Sequence, residues 1–474
     1  MTPLADVARS MFVAAVAAVS PEALVRRITF LPEGVAFGDV ELCPRGRLHL
    51  VTLGKAAPGL AAAFLRRSRR APDWVFALAP DGVPVPPAVA GFTRLAAHPL
   101  PDERGARATA ELLAALAAAD PRDGVVVLIS GGGSALLAAT LPGAPRDSLA
   151  PLTAALLRSG APIEEVNAVR KHLLAAAGGR LAAACPAATL SLVVSDVPGD
   201  ALPSVASGPT VADPTTFADA AAVLERRRVA RSFPEVAAFL AAGAHGVHEE
   251  SPKPGDPRLA RACTFLIGGN ADALAAARAV AQQAGFRTCE VTRTLRGEAR
   301  SVGTTLAAIA SALAPGEPAA LLFAGETTVT VRGAGRGGRN LELALAAACG
   351  LAGVEERCLL AAGSDGVDGT SPAAGAVVDG GTLARGLARG RDASGALDDN
   401  DAWGFFDGLP DAIVTGPTGA NVADLAFVLA AGGVPAFLPA ACALAELVPT
   451  APGKAAPRGR GAGAPPRWRL HFRR

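Results

Sequence analysis

Residues 125–137 read VVVLISGGGSALL: five apolar residues, four of them β-branched, then three glycines between two serines, then an Ala- and Leu-rich start. That order predicts a buried strand, a tight turn and a helix, an arrangement that points backbone N–H groups at an anion. Gly131, Gly132 and Gly133 carry no Cβ, so a phosphate or carboxylate could lie directly on the backbone, with Ser130 and Ser134 adding hydroxyls. Similar turns recur. Lys55 stands in Gly54-Lys55-Ala56-Ala57 after the apolar run Leu48–Leu53, and Arg336 and Arg339 stand in GAGRGGRN, residues 333–340. Asp196, Glu326, Asp365 and Asp368 each fall in a Gly- or Pro-containing loop at or just beyond an expected strand end. A lysine, guanidinium forks, glycine cradles and several carboxylates together suit metal-assisted phosphoryl transfer, which depends on positioning and charge neutralisation.

The elements that must hold these residues alternate. Expected strands at Leu48–Leu53, Trp74–Ala79, Val125–Ile129 and Leu190–Val194 are separated by helical patterns, as in parallel βαβ units whose ligands sit beyond the strands' carboxyl ends. A helix is expected over Ile163–Leu181, with Asn167, Arg170 and Lys171 on one face. The Gly- and Pro-rich stretch Gly243–Pro257 marks a boundary, and the second half repeats the alternation. There Asn270 follows Gly268-Gly269, Thr327–Val331 alternates like a hairpin strand, and Asn340 opens a helix over Leu341–Cys349. Domains are therefore expected over residues 1–245 and 258–432, followed by a basic, flexible tail over 451–474.

Composition narrows the functional classes. Aromatics are only 4% and Tyr is absent, so Ala, Val and Leu must fill the cores, as α/β layers allow. A net charge of +2 argues against nucleic acid as a partner. Seven scattered cysteines without a C-x-x-C pair indicate neither a disulfide framework nor a zinc cluster. Met11–Val19 is apolar, but Asp6 and Arg9 precede it, which predicts an amphipathic first helix rather than a signal segment. The uncharged run Leu425–Leu444 has the length of a membrane span, yet Gly432-Gly433, Pro435 and Pro439 break it into a helix, a turn and a short strand. A soluble cytoplasmic protein without membrane contacts is the expectation.

Taken together, several segments resemble the class II glycerate 2-kinases, with their N-terminal glycerate-kinase domain and C-terminal MOFRL domain. They include His98–Asp102, NAVRKH (residues 167–172), SDVPGD (195–200), Ser207–Thr210, SDGVDGT (364–370) and TGPTGANVADL (415–425). The resemblance implies a two-domain α/β fold: a Rossmann-like parallel sheet, a second MOFRL-like α/β domain and a cleft between them. It implies transfer of the γ-phosphoryl of ATP to the 2-hydroxyl of D-glycerate with Mg2+, by a monomer or homodimer. Lys55 and Arg339 match the family's functional positions, with Asp196 as a third catalytic candidate. Residues 130–134, Arg170, Lys171, Asn270 and Asn340 are the candidate substrate and nucleotide contacts, and Asp196, Glu326 and Asp365 the candidate metal ligands.

The rival reading is an NAD(P)H-dependent hydroxypyruvate reductase. Gly333, Gly335 and Gly338 formally satisfy G-x-G-x-x-G, and His98 or His172 could donate a proton. The loop's two arginines, and the lack of an acidic ribose ligand at the usual distance, weigh against it. A non-enzymatic anion-binding module using the basic tail leaves the clustered acids unexplained.

Overall fold

The computed structural model describes residues 4–313 and 316–432, and the backbone of residues 468–469. The chain forms two compact units. One contains residues 21–195 and 200–267; the other contains residues 4–20, 196–199 and 268–432.

In the first unit, Thr29–Leu31 (β1), Gly34–Phe37 (β2) and Val40–Leu42 (β3) make a small antiparallel meander. The main sheet follows: Leu48–Leu53 (β4), Trp74–Pro80 (β5), Thr93–Ala96 (β6), Gly124–Ile129 (β7), Ala188–Val194 (β8) and Ala262–Gly268 (β9). Their spatial order is β6-β5-β4-β7-β8-β9, with β6/β5, β5/β4, β4/β7 and β7/β8 all parallel. Every residue of β4, β7 and β8 is buried. Helices cover both faces of such a sheet, so its central strands read as continuous apolar runs. Counted along the chain the order is 3-2-1-4-5-6, the doubly wound arrangement, and its direction reverses between β4 and β7.

Helix Ala57–Arg67 follows β4 and buries Ala57, Leu60, Ala61 and Phe64, one stripe at helical spacing. A separate helical layer packs Val166 and Val169 against Phe217, Leu224 and Phe239. Its helix Ile163–Lys171 is shorter than expected. Gly178 and Gly179 beyond it both take left-handed backbone, which an α-helix cannot continue through.

The second unit is not a repeat of the first. Arg287–Leu295 (β10), Ala319–Gly325 (β11), Arg357–Gly363 (β12), Gly375–Asp379 (β13), Ala412–Ile413 (β14) and Asp424–Ala430 (β15) lie in the order β10-β11-β15-β12-β13-β14. Only β10/β11 is parallel; β15 is inserted between β11 and β12, antiparallel to both. The helix expected from Leu425 is therefore a strand, and the run beyond residue 432 lies outside the described residues. All seven residues of β15 are buried, and after Asp424 its sequence is apolar throughout, with no periodicity to separate strand from helix. Thr327–Val331 forms no strand, only a single bridge from Glu298 to Thr328.

Helix Leu4–Ala18 is amphipathic, burying Val7, Ala8, Met11, Phe12 and Ala15. It packs on helix Asn270–Gln283 and so joins the second unit, whereas the sequence placed it with residues 1–245. The chain passes from one unit to the other at Ile267–Gly268, inside β9, rather than in the polar stretch before residue 258. Of the tail, the backbone of Trp468–Arg469 (β16) pairs in parallel with β3; the rest lies outside the described residues. Among the described residues no helix is long and apolar enough to cross a membrane.

Candidate functional site

In the first unit the chemistry gathers where strand order reverses. Leu53 and Ile129 are register partners, so β4 and β7 deliver Gly54-Lys55 and the Gly131–Gly133 loop side by side. The Lys55 N–H donates to the Gly131 carbonyl at 2.8 Å and the Ser130 N–H to the Leu53 carbonyl at 2.8 Å. The Ser130 hydroxyl accepts from the Ala56 N–H at 3.0 Å and donates to the Leu53 carbonyl at 3.1 Å, so it staples the two turns together. Gly132 is left-handed, with φ of 86°. A Cβ there would lie 3.2 Å from Lys55 Cγ and 3.4 Å from the His98 ring, so the lysine stem is laid across this glycine. The helix that follows, Gly133–Leu136, is a single turn. Its dipole is small, so the positive potential at this turn comes from the loop's N–H groups and Lys55 rather than from the helix.

The loop's far side meets residues 204–208. Ser207 Oγ lies 2.8 Å from Ser134 Oγ and donates to Asn167 Oδ1 at 3.0 Å, while Asn167 Nδ2 donates to the Ser204 carbonyl at 3.2 Å. Ala206, Ser207 and Gly208 are consecutively left-handed, a backbone cost for the first two that such sites commonly store. One turn beyond Asn167, Arg170 is 8% exposed and has no hydrogen-bond or carboxylate partner among the described residues. Burial pulls its pKa down to about 10, still above neutrality. Its neighbours are paired: Lys171 Nζ sits 3.2 Å from Asp213 Oδ1, and His172 Nε2 sits 2.9 Å from Glu250 Oε1.

In the second unit, antiparallel register builds the site. Asp424 opens β15 opposite Gly325 and Gly363, the last residues of β11 and β12. Glu326 and Asp365, just past those strand ends, are thereby brought to it. Arg339, the first residue of helix Arg339–Leu351, donates from Nε to Asp424 Oδ2 at 2.5 Å and from its second amino group to Oδ1 at 2.9 Å. Its other amino group is 3.3 Å from Glu326 Oε1. Burial opposes the guanidinium's charge, but Asp424, then Glu326, more than offset it, and its pKa shifts upward. A Cβ on Gly363 would stand 3.2 Å from Asp365 Oδ1, 3.5 Å from Asn340 Nδ2 and 3.5 Å from Asp424 Oδ1, so the three groups converge on one point.

Asp368 is a structural acid. Its carboxylate accepts from the Asn340 N–H and Nδ2 at 3.1 Å each and from the Leu341 N–H at 2.8 Å, capping Arg339's helix. Burial raises its pKa to about 6, with the Asp424 charge adding to the rise against those backbone bonds. Asn340's amide is thus committed to the cap. Asn270, at the start of its own helix, donates to the Arg293 carbonyl at 3.0 Å and leaves a buried Oδ1 without a partner.

Two of the expected metal ligands have protein partners. Asp196 accepts from Asn421 Nδ2 at 2.9 Å, and Glu326 is paired with the Arg339 cation. Among the described residues no group of three or more His, Cys, Asp or Glu is arranged to hold a metal ion. A guanidinium among the carboxylates already supplies the positive charge a divalent ion would bring. The G-x-G-x-x-G loop is likewise filled by protein. A Cβ on Gly333 or Gly335 would strike Asp399 or Asp401 within 2.6 Å, and one on Gly338 would strike Asp368 at 2.5 Å. These glycines admit the chain's own backbone and side chains, not a pyrophosphate.

Sequence reasoning missed Asp424, which the quoted TGPTGANVADL segment contains but which was not singled out. Its signal would have been an acid opening a strand whose other six residues are apolar.

The fold and site define a two-unit α/β protein whose parallel sheet carries a glycine–lysine turn and whose mixed sheet carries an arginine–carboxylate cluster. Residues 7–241 match the family described as a domain of unknown function, DUF4147, and residues 319–424 match the MOFRL family. The chain is 41% identical to the D-glycerate 2-kinase of Thermotoga maritima over 70% of its own length and 78% of that protein's. It is 39% identical to a protein of Agrobacterium vitis named as a hydroxypyruvate reductase, over 90% and 94% of the two chains. The crystal structure of a Thermotoga maritima glycerate kinase superposes with a TM-score of 0.75 at 36% identity, covering 90% of this chain and 99% of that one. The chain belongs to the glycerate kinase family.

Proposed function

We propose that the protein is a glycerate 2-kinase, transferring the γ-phosphoryl of ATP to the 2-hydroxyl of D-glycerate to give 2-phospho-D-glycerate. The observation that carries this reading is Lys55 laid across Gly132 at the strand-order reversal, where doubly wound sheets bind phosphorylated ligands. The relatives named as glycerate kinases support the same reaction.

In this reading the Gly131–Gly133 N–H groups and the Lys55 ammonium take the charge that spreads over the equatorial oxygens of the phosphoryl in flight. Arg339, held by Asp424, is a fixed positive charge in the second unit, suited to an oxyanion of the substrates. Asp196 or Asp365 accepts the 2-hydroxyl proton as the oxygen attacks phosphorus, and ADP leaves with the bridging oxygen's electrons. Among the described residues no group of three or more His, Cys, Asp or Glu is arranged to hold Mg2+.

The test incubates purified protein with ATP, a magnesium salt and D-glycerate, and identifies the phosphoglycerate isomer by 31P NMR. 2-Phosphoglycerate is the expected product. A parallel incubation with NADH and hydroxypyruvate addresses the reductase reading, against which the filled G-x-G-x-x-G loop and the fully buried His172 both speak. NADH oxidation without phosphoglycerate would overturn the kinase reading.

A further inference from the structure

We propose that Arg170 is the anchor for the carboxylate of the hydroxy-acid substrate, a proposal that rests on the kinase reading for the identity of that acid. Three consecutive basic residues end the helix Ile163–Lys171 and its cap, and the fold treats them differently. Lys171 has Asp213, which also accepts from Ser251 Oγ at 2.9 Å and from the Thr215 N–H at 3.0 Å. His172 has Glu250 on one ring nitrogen and the Ala168 carbonyl 2.7 Å from the other. Arg170, only 8% exposed, has no such partner among the described residues. A buried guanidinium without an anion is costly, and proteins rarely keep one. A chain that supplies Asp213 and Glu250 to the adjacent residues leaves Arg170 for an anion it does not itself contain.

The surroundings suggest which anion. Asn167 lies one turn back on the same helix face, and it joins Ser207 and Ser134 in a chain of neutral hydroxyl and amide groups. Those groups suit the hydroxyls of a small polyhydroxy acid. The planar fork of arginine suits its carboxylate, while the phosphoryl already has Lys55 and the glycine loop. The Lys171–Asp213 ion pair and the His172–Glu250 hydrogen bond brace the helix end beside Arg170 before the ligand arrives, so little ordering cost falls on binding.

The experiment compares wild type with Arg170→Met and Arg170→Lys by thermal unfolding and steady-state kinetics. Without ligand, Arg170→Met should melt at the wild-type temperature or above it, because it removes an unpaired buried charge. D-Glycerate alone should raise the wild-type Tm and leave that of Arg170→Met unmoved, whereas ATP should raise both. KM for D-glycerate should rise about 100-fold in Arg170→Met, with KM for ATP within twofold, and Arg170→Lys should fall between. If both variants melt several degrees lower without ligand, Arg170 is structural and the proposal fails. It also fails if D-glycerate still stabilises Arg170→Met, or if KM for ATP rises instead, which would make a nucleotide phosphate the partner. Failure of the kinase reading looks different: D-glycerate would still shift the wild-type Tm through Arg170, but no phosphoglycerate would form.

Discussion

Replacing Asp424 by Asn tests how the second unit's site is built. The carboxylate receives two N–H bonds from Arg339, at 2.5 and 2.9 Å, and its side chain is 11% exposed. The amide keeps one acceptor oxygen but turns an NH2 toward a guanidinium N–H, so one charge-assisted bond is lost and the ionic attraction with it. Removing one partner of a buried pair costs about 3–5 kcal/mol. Arg339's side chain is 33% exposed and retains Glu326, so screening and the remaining partner lower the expected loss to about 2–3 kcal/mol. Glu326, 49% exposed, should matter far less: Glu326→Gln is expected to cost under about 1 kcal/mol. Urea unfolding of both variants, at constant m-value, reads the difference directly. In the kinase assay Asp424→Asn should also lose about 10- to 100-fold in kcat, since each factor of ten corresponds to roughly 1.4 kcal/mol of lost positioning. Equal stability losses for Asp424→Asn and Glu326→Gln would refute the argument that the β15 register, rather than surface charge, holds Arg339. Undiminished kcat in Asp424→Asn would refute the positioning role.

Lys55→Ala should lower kcat about 100- to 1000-fold while leaving the unfolding temperature within a few degrees, and near-wild-type turnover would remove Lys55 from the reaction. Gly132→Ala places a Cβ at φ of 86° and 3.2 Å from Lys55 Cγ; a stability loss of about 1–2 kcal/mol, with a fall in kcat, is expected by denaturation and product assay. Asp368, whose folded pKa is raised from 3.8 to about 6, binds its proton more tightly in the folded chain, so its contribution to stability is full below pH 4 and is lost as pH rises through 6. Asp368→Asn should flatten the wild type's decline in stability between pH 4 and 6, and an unchanged slope would assign that decline to other groups.

The first unit was readable in the chain because its physics is local. The buried central strands of the parallel sheet are mostly apolar, and each is followed by a glycine-bearing turn that must face the ligand end. Lys55 and Gly131–Gly133 could therefore be placed at that end without knowing which strands are neighbours. Local pattern overstated the helix after the glycine loop, which stops after one turn, and the helix through Arg170, which ends at Lys171, well short of the left-handed Gly178 and Gly179.

The second unit yielded less because direction is a nonlocal property. Glu326, Asp365 and Arg339 were visible as loop residues, but their partner Asp424 stands at the amino end of its strand. In an all-parallel sheet that end lies opposite the ligand, and the alternating pattern of the second half implied such a sheet. β15 runs the other way between β11 and β12, so its first residue faces Gly325 and Gly363, and the acid at its start becomes the clamp on Arg339. The same insertion sets Glu326 and Asp424 against the Arg339 guanidinium, so a positive charge among those carboxylates is part of the chain.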